Sequence, residues 1–126
     1  MSLGVELEKL VEVAGGFGTR PMLLTVDDDG RPRAAAVAVS WDGVHALVAA
    51  GRRSVANAAA RPLVSLLWPA PPGDRFALLV DGEVVTTELT EPPDESGKGG
   101  GGTVLVRSTS AILHVVTPRK ARKGTS

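Results

Sequence analysis

Apolar residues recur along this chain with two different periods, and the change of period divides it. Leu3, Leu7, Leu10, Val11 and Ala14 fall at helical spacing and Gly15-Gly16 supplies a stop, so the pattern predicts an amphipathic helix over residues 4–14. From Arg20 the texture turns to short β-type runs at 21–26, 33–41, 44–50, 63–68, 76–89 and 103–116. Asp27-Asp28-Asp29-Gly30 separates the first two runs and Asp42-Gly43 the next pair. Both linkers tolerate positive φ, which predicts hairpin turns and hence three consecutive antiparallel strands. Between Gly51 and Pro62 the β pattern gives way to Ser54-Val55-Ala56-Asn57-Ala58-Ala59-Ala60, an alanine-rich helix that Ser54 would cap and a proline closes. Asp81 and Glu83 flank Gly82 in an expected bulge or turn of the fifth run, which argues against a general-acid pair there. Residues 91–102, with Pro92-Pro93 and four consecutive glycines, read as a mobile loop.

Six antiparallel segments with too little chain for two full sheets predict a mostly β protein, a small closed or half-open barrel with flanking helices, because closure removes exposed strand edges. The 126 residues suit one domain, taken as 1–118, followed by a basic tail at 119–126 that is expected to be disordered.

Composition narrows the function more by exclusion than by suggestion. The chain is 43% hydrophobic but 3% aromatic, so Val, Leu and Ala must build most of the core, and a surface that stacks nucleic-acid bases is disfavoured. With no cysteine, disulfides, thiolate metal ligands and cysteine nucleophiles are excluded, and two histidines leave little for a metal site. His45 and His114 lie in β runs without nearby acidic ligands, and Trp41 and Trp68 stand at strand ends as core or interface anchors. Turn chemistry accounts for Asp27 to Asp29 better than a cation loop does. The amino terminus lacks the basic start and apolar run of a secretory signal, and no run of about 18 apolar residues occurs. A cytoplasmic protein without nucleic-acid or membrane partners is therefore expected. Fourteen basic and fourteen acidic residues cancel, yet lysine is missing between Lys9 and Lys98, so every cation in the middle of the chain is arginine. Arginine presents a planar fork of donors that matches phosphate.

Two of those arginines stand where a phosphate could use them. In Ala50-Gly51-Arg52-Arg53-Ser54-Val55-Ala56-Asn57 a strand ends, a glycine allows close backbone approach, and a serine opens a helix whose first amides are unpaired. The same residues are also compatible with a plain solvated turn and a capping serine. No nucleophile elbow, Walker loop or dinucleotide fingerprint occurs, and no catalytic acid or base is assigned.

The order of the pieces carries more than any one of them. Gly30-x-Pro32, a strand ending in Trp41-Asp42-Gly43, a second strand, Gly51-Arg52-Arg53-Ser54-x-x-Asn57, and Arg61-Pro62-x-Val64-Ser65-Leu66 together resemble the pyridoxamine 5′-phosphate oxidase-like split-barrel family. The resemblance spans roughly residues 5–90 and fades after Thr90. It implies a six-stranded antiparallel split barrel, a homodimer with cofactor sites at the subunit interface, and an oxidoreductase that uses flavin mononucleotide (FMN) or a deazaflavin on a small organic substrate. Carried onto this chain, it places the cofactor phosphate at Arg52, Arg53 and Ser54, with Asn57 on the helix that follows. It lays the ring along the strand of Ala35 and Val37. Ser54 stands where many members have lysine, which removes one point charge from the phosphate site. That substitution and the bland strand support an alternative, a non-catalytic dimeric binding module that has lost its cofactor.

Overall fold

The computed structural model describes residues 2–116; the basic tail lies outside the described residues. Eight strands form one antiparallel sheet: β1 (Ser2–Val5), β2 (Met22–Val26), β3 (Pro32–Ala36), β4 (Ala38–Asp42), β5 (His45–Gly51), β6 (Leu63–Trp68), β7 (Phe76–Glu91) and β8 (Gly101–Val115). Their hydrogen-bonded order is β3-β2-β6-β7-β8-β5-β4, with β1 paired to the far end of β8. Helix α1 (Leu10–Gly15) follows a single 3₁₀ turn, and α2 (Arg52–Ala60) joins β5 to β6. The fold is mostly β with flanking helices, as the patterning predicts, and has two strands more than expected.

Both extra strands have a physical origin. The run at 33–41 breaks at Val37, and its two halves pair at opposite ends of the sheet, Ala35 with Leu23 and Val39 with Val48. The backbone N–H of Val37 donates to the Pro21 carbonyl and that of Val39 to the Thr19 carbonyl. The chain therefore carries itself from one sheet edge to the other at residue 37, which curls the sheet into a barrel. The second difference lies at the amino terminus. Residues 2–5, which overlap the expected helix 4–14 at Gly4 and Val5, pair as a strand with Ala111–His114, and only Leu10 and Ala14 of the short α1 are buried. An open edge of β8 supplies backbone partners to an extended segment, and this outweighs the weak preference of a short helix.

Inward-facing side chains fill the barrel. Leu23, Val48, Leu66, Leu78, Val80, Val104 and Val106 are all essentially inaccessible, alternating with outward neighbours along their strands. The one large aromatic among them is Trp68, whose indole N–H donates to the Gly18 carbonyl at 2.9 Å. Trp41 stacks on it, ring centroids 6.1 Å apart, and the pair ties β4 to β6 across the barrel. The long β7–β8 hairpin shifts register between Asp81 and Gly82, where a side chain would collide with the Arg107 carbonyl, so the expected bulge is present. Helix α2 buries Ser54, Val55, Asn57 and Ala58 against β2, β5, β7 and β8. Among the described residues, no helix is long and apolar enough to cross a membrane.

Candidate functional site

Strand β5 delivers the chain to the amino end of α2, and the geometry of that junction sets the site. Gly51 is extended (φ −70°, ψ 165°) and caps α2 without any side-chain bond to the first turn. Ser54 is thus the third helical residue and not the cap: β5 runs straight into Gly51, so the helix starts three residues earlier than expected. The first amides of α2 consequently have no side-chain acceptor, and the positive end of the helix dipole faces the open side of the junction. Arg52 and Arg53, the first two helical residues, are both exposed there.

Two adjoining clefts, of about 570 and 490 Å³, meet at these arginines and share Arg33, Arg52, Arg53 and Asn57. The larger is rimmed by the acidic turn Asp27–Asp29, and the smaller lies between Ala34–Ala36 of β3, Ser54, and Gly99-Gly100. Of the residues expected in a site, Arg52, Arg53, Ser54, Asn57 and Ala35 come together here. Val37 does not. It is 3% exposed in the hydrophobic core, because the chain turns inward at that residue to close the barrel.

Asn57 lines both clefts and is also bonded inside the protein. Its amide nitrogen donates to the Asp27 carboxylate at 2.7 Å and to the Thr25 hydroxyl at 3.2 Å, so both amide hydrogens are committed inside the protein. Asp27 also accepts from the Arg33 guanidinium. Those bonds, Arg33 first and Asn57 second, hold the Asp27 carboxyl below its ordinary pKa, and the bond to Asp27 raises that of Arg33. The four residues form a brace that fixes α2 against β2 and β3. Residues 23, 25 and 27 point inward together, and Arg33 stands opposite Thr25. Sequence reasoning did not single out Arg33, Asp27 or Thr25 as parts of this site. The available signal was polar residues at 25 and 27 continuing the inward parity of Leu23.

A charge count separates the arginines that build the wall from those that face the clefts. Each aspartate of the turn has its own arginine: Asp27 has Arg33, Asp28 has Arg61 at 2.6 Å, and Asp29 has Arg31 at 3.6 Å. Arg52 instead donates from Nη2 to the neutral Gly97 carbonyl at 2.7 Å. Arg53 makes no ion pair or hydrogen bond among the described residues. Two guanidinium groups without a carboxylate in contact therefore stand beside an uncapped helix start. That donor set fits a phosphate dianion. The alanine floor of the smaller cleft leaves space for a flat ring and offers it no side-chain hydrogen bond. No cluster of metal-ligating side chains occurs among the described residues.

No family model and no curated protein matches the chain. Solved structures do. An F420 reductase superposes with a TM-score of 0.58 and 25% sequence identity, over 74% of this chain and 88% of its own. A Clostridium acetobutylicum protein of the pyridoxinephosphate oxidase family, related to general stress protein 26, gives 0.58 at 14% identity over 88% and 91% of the two chains. A FAD-binding protein from Mesorhizobium loti gives 0.56 at 15% identity over 90% and 96%. The chain shares the split-barrel fold of the pyridoxamine 5′-phosphate oxidase-like proteins, and the resemblance read from its sequence is borne out at that level.

Proposed function

We propose that this protein binds a flavin-type cofactor through its phosphate and works as an oxidoreductase on a small organic substrate. The observation that carries the reading is the pair Arg52 and Arg53, neither in ion-pair contact with a carboxylate among the described residues, at the uncapped start of α2. Arg52, Arg53, the first amides of α2 and the Ser54 hydroxyl would hold the phosphate, and Ala34–Ala36 would support the ring. When bound, a flavin or deazaflavin supplies hydride or electron-pair transfer. The chain's own contribution is to fix the phosphate, leave a flat space beside β3, and keep the wall rigid through Asp27, Arg33 and Asn57. The residues lining the smaller cleft include no carboxylate, imidazole or amine to act as an acid or base for the chemistry.

A homodimer belongs to this proposal. Leu47 of β5 is 44% exposed and stands opposite Leu105 of β8, beside the pair Ala49 and Thr103. This outward row is uncharged and largely apolar, suited to a second barrel face. The test of function is cofactor uptake: the purified protein is titrated into FMN, FAD and F420 while ligand fluorescence is followed. The reading expects quenching and retention of at least one of them through gel filtration. If none is taken up at micromolar protein, the reading is wrong and the cofactor-free binding module is left.

A further inference from the structure

The connection between β7 and β8 is shorter and more ordered than a glycine-rich run suggests. Gly101 and Gly102 already belong to β8, and the remaining turn is organised by one side chain. The Asp94 carboxylate accepts the backbone N–H of Ser96 and of Lys98, each at 2.9 Å, and the Ser96 hydroxyl at 2.6 Å. The Asp94 N–H donates to the Lys98 carbonyl at 2.7 Å, and the Gly97 N–H to the Asp94 carbonyl at 2.9 Å. Residues 94–98 thus form a self-bonded unit. Among the described residues, its hydrogen bond to the rest of the protein is the one from Arg52 Nη2 to the Gly97 carbonyl. Immediately after it, Gly99 and Gly100 (φ 76° and 84°) line the smaller cleft, where these left-handed conformations suit glycine and bring the backbone close to Arg52.

We infer that Asp94 is a positioning residue of the anion site: by organising residues 94–98 it fixes the Gly97 carbonyl that holds Arg52, so closure of this loop and occupation of the site reinforce each other. The inference rests on the proposed function for the identity of the anion. The reason is entropic. A guanidinium has five N–H donors, and the Gly97 carbonyl engages one nitrogen, leaving the others for a phosphate. Immobilising the long Arg52 side chain is a cost borne once, and whichever of loop and ligand arrives second is spared it. Linkage makes the effect mutual.

Two readouts test this on the full-length protein. In the absence of ligand, tryptic cleavage after the exposed Lys98, followed by fragment mass, should be several-fold faster in Arg52→Ala than in wild type; equal rates would show that Arg52 does not hold the loop. With FMN as probe, saturation should slow cleavage after Lys98 in wild type. Asp94→Ala should weaken FMN binding about five-fold or more. Asp94→Asn, which keeps an oxygen acceptor at the same place, should restore most of it, a rescue that loss of fold would not produce. FMN that binds without slowing cleavage, or binds Asp94→Ala as tightly as wild type, overturns the coupling. If wild type binds none of FMN, FAD and F420, the proposed function and the coupling fall together, and the ligand-free comparison still decides whether Arg52 holds the loop.

Discussion

The two walls of the smaller cleft are built on opposite principles. On one side stand Arg33, Asn57, Arg52 and Arg53, the first two held from behind by Asp27 and, for Asn57, by Thr25. On the other, Ala34–Ala36 and Gly99-Gly100 contribute only backbone and methyl groups. The polar wall specifies a charge and its place; the bland wall specifies only a space. Binding energy should therefore come mostly from the first, and discrimination by shape from the second. Within the polar wall a further division holds: Asp27, Arg33 and Asn57 satisfy one another and serve stability, whereas Arg52 and Arg53 are available to a ligand.

The largest effect should come from removing the available charges. Arg52→Ala with Arg53→Ala should weaken FMN binding by about 2 kcal/mol or more, roughly 30-fold, since charge-assisted hydrogen bonds are worth about 1.5–3 kcal/mol each. Thermal melting should barely move, as both side chains are exposed. A melting point that collapses along with affinity would mean that these arginines are part of the frame. Asn57→Ala should do the reverse. It leaves the buried Thr25 hydroxyl and Asp27 carboxylate short of a donor and should cost about 1–3 kcal/mol in urea unfolding. An unchanged midpoint would show that the brace contributes nothing.

The bland wall should respond to bulk alone. Ala35→Leu, on the face it shares with Leu23, should weaken FMN several-fold while leaving pyrophosphate binding by calorimetry unaltered. Equal loss of both ligands would place the ring elsewhere. The smallest effect is a pH dependence. The folded-state pKa of Asp27 is depressed from 3.8, so its stabilisation is complete above that value and disappears as pH falls through the lower folded pKa. Wild type should thus lose stability below about pH 4 more steeply than Asp27→Asn, as measured by acid-dependent urea midpoints. Parallel curves for the two would contradict the bonding that holds Asp27.

How much of this was readable beforehand follows the same division. The barrel, its hairpins and the bulge at Gly82 were legible because alternation and turn residues report local geometry. The break at Val37 was not: Ala34 to Val39 alternate nothing, and the bend is imposed by sheet closure over long sequence distances. The helix expected at 4–14 is helical only from Leu7 for a related reason, since the β8 edge that recruits Ser2–Val5 lies over a hundred residues away. In the site, Arg52 and Arg53 were visible as a local motif, and the resemblance named a role for them. Asn57 matched the same motif, but the structure commits it to Thr25 and Asp27, partners 32 and 30 residues distant. The latch between Arg52 and Gly97 spans 45 residues and left no trace in the pattern of either segment.

The proposed function requires that the affinity of the cleft be anchored by phosphate. Comparing FMN with riboflavin on the wild-type protein isolates that claim, because the two share a ring and differ in the anion. FMN should bind at least about 30-fold more tightly, the value of one to two charge-assisted contacts, and added inorganic phosphate should narrow the gap. Equal affinity for the two ligands, at any level, would contradict it.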